Sequence, residues 1–285
     1  MGTDFLAFLE EKRSGMSKGH RRLCDYILLN YDKAAYMTAS KLGIQAEVSE
    51  STVVRFATEL GYEGYPEFQR ELKGLIKNKL TSVQRMSMNT DSTVDIPTGV
   101  LRHDMENIKE TIETLDKASF ESAVDMILGA KRIYIMGVRS CHGIASFMSY
   151  YFDMLFDNVK LVHTTSGSEV FEQLFSADSQ DILIAISFPR YSKRIVDAVK
   201  FAKSKGANVV SITDNTEAPI AEYSDELLIA KTDISSFVDS LVSPLSIINA
   251  LIVALGRRKK EELTSKLEAL EEIWDEYNVY QKNKE

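Results

Sequence analysis

A helical amino-terminal domain followed by a doubly wound α/β domain, its five-stranded parallel sheet layered between helices, is the architecture this sequence predicts. Three observations predict it. The length, 285 residues, suits two domains at roughly 100–200 residues each. The segment to about Lys79 is charged and helix-patterned, whereas beyond Lys131 short β-branched apolar runs alternate with amphipathic stretches of helix length. Between them, residues 81–99 (TSVQRMSMNTDSTVDIPTG) lack aromatics and are rich in Ser, Thr, Asn and Asp, with Pro97 and Gly99 as breakers. That stretch reads as a linker or as the frayed end of a helix running on from Leu80. The expected division is 1–80, a linker at 81–100, 101–256, and a helical tail at 257–285.

Two helical patterns, Leu101–Leu115 and Phe120–Leu128, follow the linker, the second with Asp116 ahead of it as a cap. The strands read Arg132–Met136, Val159–His163, Ile182–Ile186, Asn208–Ile212 and Glu226–Ile229. Helices read Cys141–Phe156, Gly167–Phe175, Ser192–Lys205 and a short one near Ala218–Tyr223. Runs apolar on both faces and separated by helices mean a parallel sheet covered on both sides. Its ligand site belongs beyond the carboxyl ends of the strands. Phe237–Leu255 reads as a long apolar helix. Arg258–Tyr280 reads as an amphipathic tail carrying Leu263, Leu267, Leu270, Trp274 and Tyr277 at 3–4 spacing. Both are candidate assembly surfaces.

Composition excludes several classes. Cys24 and Cys141 are the only cysteines, which rules out a disulfide framework or cysteine-ligated zinc and suits a reducing compartment. His20, His103, His142 and His163 share no i,i+4 spacing, so neither a metal nor a cofactor is expected. Leu245–Leu255 is too short to span a bilayer, and the acidic, lysine-bearing start differs from a signal peptide. A cytoplasmic protein without membrane contact is the expectation. The net charge of −8 divides unevenly, +1 over residues 1–80 and −9 over the remainder. A nearly neutral module can still present a basic face to nucleic acid.

Thr38–Gly61 (TASKLGIQAEVSESTVVRFATELG) contains two short helices around a tight turn, with Thr38 and Ser49 able to cap them. Val53, Phe56, Ala57 and Leu60 fall on one face of the second helix and pack inward, while Ser51, Thr52, Arg55 and Glu59 point elsewhere. Small polar residues at the helix start let the backbone approach a major groove, where Arg55 reaches a phosphate or a guanine edge. Periodicity alone equally allows a helical oligomerisation domain with a solvated polar face.

In the second half, the first strand runs into Gly137-Val138-Arg139-Ser140-Cys141 and the third into Ser187-Phe188-Pro189-Arg190-Tyr191-Ser192, each opening a helix. Strand-to-helix turns offer backbone amides and the positive dipole end to an anion. Arg139 and Arg190 add charge-assisted donors. Alternatively these arginines form ion pairs with Glu169 or Asp214. Thr164–Glu169, including Ser166, either supplies donors to the pocket wall or only caps a helix. Asp214 and Asn215 stand similarly. Cys141, at a helix start, is a redox thiol or, more simply, a packed one.

The string VSESTVVRFATELGYEGYPEFQRELK (Val48–Lys73) resembles the DNA-binding domain of the RpiR family of bacterial transcriptional regulators, with similarity from about Ser17 to Ile76. The resemblance implies that Ser49, Ser51, Thr52 and Arg55 face the groove; Lys41 reads as a backbone contact, and Tyr62, Tyr65 and Phe68 as core residues rather than contacts. One departure is Glu47, where such motifs carry Gly in the turn; a side chain held left-handed there costs about 1 kcal/mol. Residues 105–256 resemble the SIS (sugar isomerase) domain, of flavodoxin-like topology, which binds phosphosugars. Against its usual S-x-S-G-x-[ST], Ser187 and Ser192 match while Pro189 and Arg190 depart. Against G-x-G-x-S, Gly137 matches while Arg139 and Cys141 depart. The expected ligand set is Gly137, Arg139, Ser140, Ser166, Glu169, Ser187, Arg190, Tyr191 and Ser192, on the hypothesis that both arginines replace the lost hydroxyl donors. The resemblance implies a non-catalytic, sugar-phosphate-responsive regulator, more in keeping with a repressor, acting on operator DNA as a homodimer or homotetramer. The rival is a sugar-phosphate isomerase with a helical oligomerisation domain, for which Glu169 and His163 are the suspect bases. Asp233–Gly256, however, has no match to the glutamate- and histidine-bearing segments of such isomerases.

Overall fold

A computed structural model of the chain describes residues 5–76, 81–86, 95–163, 168–233 and 238–281. These form two compact units, one of residues 1–95 with 234–239, the other of 96–233 with 240–285.

The first unit is all helical: α1 (Phe5–Lys12), α2 (Lys18–Leu29), α3 (Tyr31–Ala34), α4 (Ala39–Gln45), α5 (Glu50–Glu59), α6 (Tyr65–Ile76) and α7 (Ser82–Met86). Ser17, Thr38 and Ser49 each accept a first-turn amide and so cap α2, α4 and α5. Val53, Phe56 and Ala57 are buried with Leu23, Ile27, Leu42, Phe68 and Leu72 in one core. Phe56 and Phe68 meet edge to face at 5.8 Å. Tyr65 is buried and its hydroxyl donates to the Met37 carbonyl at 2.6 Å; desolvation there pushes the phenol pKa well up.

The second unit begins with α8 (Ile96–Thr114) and α9 (Lys117–Gly129). The breakers expected in the linker, Pro97 and Gly99, instead lie in the first turn of α8. Proline is tolerated there because a first-turn amide has no helical acceptor to lose. Asp116 caps α9, accepting from the amides of Ala118 and Ser119.

The five strands β1 (Ile133–Gly137), β2 (Val159–Leu161), β3 (Ile182–Ile186), β4 (Asn208–Thr213) and β5 (Glu226–Ile229) pair in parallel in the order β2-β1-β3-β4-β5. Between them run α10 (Ser140–Leu155), α11 (Glu169–Leu174) and α12 (Lys193–Ser204); α13 (Val242–Arg258) and α14 (Lys260–Glu276) follow. Alternate residues of each strand feed opposite cores. Ile133, Ile135, Ile184 and Val210 pack with α9, α10 and α13, while Tyr134, Met136, Leu183 and Val209 pack with α11 and α12. Burial on both faces is why these runs lack polar alternation.

The helix expected over Phe237–Leu255 starts only at Val242, its first residues lying outside the described region or in the turn before Leu241. Ser240 is held away from helical geometry by donating to Asp104 Oδ1 at 2.5 Å. The tail helix α14 lies along its own unit: Leu263 meets Gly256, and Lys266 Nζ donates to the Asp153 carbonyl at 2.9 Å. Among the described residues no helix is long and apolar enough to cross a membrane.

Candidate functional site

Two surfaces carry the residues singled out by sequence. The first is the α4–α5 pair. After α4 the chain closes with two bonds, Glu47 N–H to the Ile44 carbonyl and Val48 N–H to the Gly43 carbonyl, which end the helix through a left-handed residue. That residue is Glu47, at φ 52°, so the position where glycine is usual keeps the glycine conformation with a side chain on it. Arg22 of α2 offsets its acidity, lying 3.6 Å from the carboxylate and donating to the Glu47 carbonyl at 3.3 Å. Gly43 makes the close approach feasible, since a Cβ there would lie 2.9 Å from the Val48 carbonyl oxygen.

On α5, Ser49, Ser51 and Arg55 are exposed, as is Lys41 on α4. Thr52 is half-buried: its hydroxyl lies 2.8 Å from Ser49 Oγ, and its methyl lies against Gly19 of α2. Arg55 folds back along its own helix, Nε donating to the Ser51 carbonyl at 3.3 Å. The arrangement brings Lys18, Arg21 and Arg22 of α2, all exposed, onto an element that packs on α5 through Gly19. Sequence reasoning passed over these cations, although the basic run Lys18–Arg22 was a usable signal.

The second surface is the carboxyl edge of the sheet. The chain passes from β1 to β2 on one side and returns to β3 on the other, so the topological switch lies between β1 and β3, where α/β folds place ligands. Gly137 and Ile186 are register partners, which makes the two loops that follow them neighbours. Gly137 is buried, and a Cβ on it would lie 2.5 Å from the Cys141 carbonyl oxygen; only glycine lets the strand pass this close to the start of α10.

Arg139, at the N-cap of α10, has φ 56° and ψ −125° and makes no capping bond with its side chain. With the Cys141 amide donating to the Val138 carbonyl at 3.2 Å, this is the turn whose first central residue is normally glycine. Arg139 and Ser140 are exposed, and Arg139 makes no ion pair with any described residue. Ser192, at the N-cap of α12, also supplies no side-chain cap. The helices α2, α4, α5 and α9 are capped by their own side chains. The two helix starts beside the switch point are not, nor are those of α11, α13 and α14.

The remaining predicted residues divide. Arg190 is exposed, and Ser187 is buried with its amide donating to the Ile212 carbonyl; that amide is spent on the sheet rather than left for an anion. Tyr191 is half-buried, its hydroxyl donating to Asp214 Oδ1 at 2.7 Å and accepting from Asn215 Nδ2 at 2.9 Å. It therefore ties the loop after β3 to the loop after β4. Glu169 opens α11, where its carbonyl accepts from Gln173 Nε2, whose amide also bonds the His163 backbone. Ser166 lies outside the described residues. His142 and His163 bring their rings within 6.4 Å. Cys141 is buried. An open depression of about 370 Å³ along residues 216–222 and Leu227 holds none of these groups. Among the described residues no cluster of His, Cys, Asp or Glu is suited to a metal ion.

A helix-turn-helix pair and a doubly wound domain in one chain are the composition of a two-module transcriptional regulator. Residues 3–79 match the helix-turn-helix domain of the rpiR family, and residues 126–254 match the SIS domain. The chain is 25% identical to the HTH-type transcriptional regulator HexR of Escherichia coli over 281 residues, 96% of this chain and 95% of that one. Its fold is similar to that of the Vibrio vulnificus NanR protein complexed with ManNAc-6P, with a TM-score of 0.59 at 20% identity over 95% of this chain and 98% of that one. It is also similar to the sugar isomerase domain of an RpiR transcription factor from Sphaerobacter thermophilus, with a TM-score of 0.59 at 24% identity over 62% of this chain and 98% of that one. The chain belongs to the rpiR-type helix-turn-helix–SIS transcriptional regulators.

Proposed function

We propose that the chain binds operator DNA in the cytoplasm as a homodimer or a higher even assembly, and that a phosphorylated sugar held at the β1–β3 switch point changes that binding. The carrying observation is that the loops opening α10 and α12 follow register-paired strands at the switch point, one of them led by exposed Arg139 in a backbone conformation that costs energy. The phosphate lies against the leading amides of α10 and α12 with Arg139, Ser140, Arg190 and Ser192 as donors. Gly137 provides the close approach, and Tyr191, through Asp214 and Asn215, holds the wall. Glu169 borders the sugar hydroxyls. Lys41, Ser49, Ser51, Thr52 and Arg55 form the DNA-reading face, with Lys18 and Arg22 as further phosphate contacts. Such a protein releases DNA when its effector binds, as a repressor of carbohydrate genes, and carries out no turnover. NanR in complex with an N-acetylmannosamine phosphate supports the ligand class.

The test is a gel shift on DNA upstream of the protein's own gene, titrated with salt and with a panel of hexose and N-acetylhexosamine 6-phosphates. The expected outcome is a shifted band that weakens steeply as salt rises, because phosphate contacts release counterions. One or more of the sugar phosphates releases it. Steady isomerisation of a sugar phosphate without DNA binding would favour the isomerase reading, for which His163 and Glu169 are the suspect bases.

A further inference from the structure

The exposed side of α5 carries an acid in line with Arg55. Glu59 follows Arg55 by four residues, and its side chain is 67% exposed. Side chains four apart on a helix stand about 5–6 Å from each other at Cβ, so an arginine and a glutamate at this spacing attract. They do not pair here. The Glu59 carboxylate is taken by His20 of α2, whose Nδ1 lies 2.8 Å from Oε2. A carboxylate only accepts, so Nδ1 carries the proton and donates it. Among the described residues Arg55 makes no ion pair; its Nε donates to the Ser51 carbonyl at 3.3 Å, and the side chain is otherwise exposed.

His20 is fixed by the core. It is 5% exposed and stands edge-on to the buried Phe56 ring at 5.6 Å. The neighbouring Gly19 lets α2 lie close to the start of α5, since a Cβ there would lie 3.3 Å from Thr52 Cγ2. At 100° per residue, Ser51, Arg55 and Glu59 span about 80° of α5 and Thr52 lies about 20° further on. Glu59 is thus the member of that stripe beside α2. The arginines of α2 are engaged elsewhere, Arg21 donating to the Met16 carbonyl and Arg22 to that of Glu47. We infer that His20 is a positioning residue of the DNA-reading face: it holds the Glu59 carboxylate on the α2 side and so keeps the Arg55 guanidinium unpaired for the duplex. The inference rests on the proposal above that α5 reads DNA.

Fluorescence anisotropy of the full chain on duplex DNA from upstream of its own gene provides the test. His20→Leu keeps apolar volume against Phe56 and removes the donor. Glu59 then turns to Arg55, and affinity is expected to fall about 2- to 5-fold per reading head, the worth of an exposed ion pair that DNA must break. His20→Leu with Glu59→Gln is expected to regain wild-type affinity, although neither partner of the original bond remains. A double variant as weak as His20→Leu, or a His20→Leu that binds like wild type, overturns the inference. Glu59→Ala, at an exposed position, covers the case in which His20→Leu does not fold. It is expected to bind as tightly as wild type, and a loss there overturns the inference by making Glu59 itself the group that DNA needs. Independently of DNA, the Arg55 Nε–H resonance, assigned by its disappearance in Arg55→Ala, is expected to shift in His20→Leu and to return in the double variant. An unmoved resonance overturns the inference. A resonance that moves and returns, in a chain that binds no upstream duplex, sinks the DNA-binding reading and leaves the capture of Glu59 by His20 standing.

Discussion

Replacing Arg139 by glycine separates what that residue does for the ligand from what it costs the fold. At φ 56° and ψ −125° the side chain sits in a region open mainly to glycine, a strain of about 1–3 kcal/mol. Glycine removes the strain but gives back about 0.4–1 kcal/mol through the greater entropy of the unfolded chain. The net gain is about 1 kcal/mol, and a unit of this size should melt about 2–4 °C higher. Affinity moves the other way, because a charge-assisted bond to phosphate is worth about 1.5–3 kcal/mol, or about 10- to 100-fold. Arg139→Ala is the control: it loses the charge and keeps the strain, so its affinity falls as far while its melting temperature does not rise. The assay is thermal unfolding of the full chain across a series of sugar phosphate concentrations, where binding to the native state raises stability by RT ln(1 + [L]/Kd). If Arg139→Gly melts lower than wild type, the strain argument fails. If both variants keep wild-type ligand protection, Arg139 makes no contact with the phosphate.

Further perturbations test other parts of the structure. Gly43→Ala places a methyl 2.9 Å from the Val48 carbonyl oxygen, an overpacking of backbone that should cost the first unit about 1–3 kcal/mol by urea unfolding. Arg132→Met leaves the fully buried Asp181 carboxylate with the Asp178 amide at 2.9 Å but without its cationic partner, whose Nε donates at 2.9 Å and Nη2 at 2.6 Å. The loss should be about 3 kcal/mol, the lower end for a broken buried pair because Arg132 is itself a third exposed. Arg55→Ala should weaken operator binding by about 1–3 kcal/mol and relax preference at one base pair if the guanidinium reads guanine, or lower the salt slope by about one if it holds a phosphate. Burial pushes the Cys24 thiol pKa up, so its neutral form is favoured in the fold. That stability is full below the ordinary thiol range and is lost as pH climbs through the raised value, and iodoacetamide at pH 8 should label Cys24 far more slowly in the native chain than in urea.

The local chemistry of the elements was legible in order along the chain. Thr38, Ser49 and Asp116 cap their helices in the structure, because a cap is a bond between residues two or three apart. The five strands were visible as apolar runs because burial on both faces leaves a composition that needs no knowledge of the partner strand. Glycine at 137 and its absence at 139 and 47 were readable as departures from a pattern. Boundaries were less legible: Pro97 and Gly99 read as breakers, yet they open α8, since a first turn makes no demand on the amide that proline lacks.

What the sequence by itself determined is therefore the set of elements, their order, and the two loops that open onto the switch point, all consequences of short-range sterics and of which residues can bear burial. Only the tertiary structure decided that Arg22 stands against Glu47, that Tyr191 is engaged by Asp214 and Asn215, and that the Ser187 amide is consumed by β4. Each depends on atoms brought together from distant parts of the chain, and a helix's amphipathic pattern shows that one face is to be covered without showing by what.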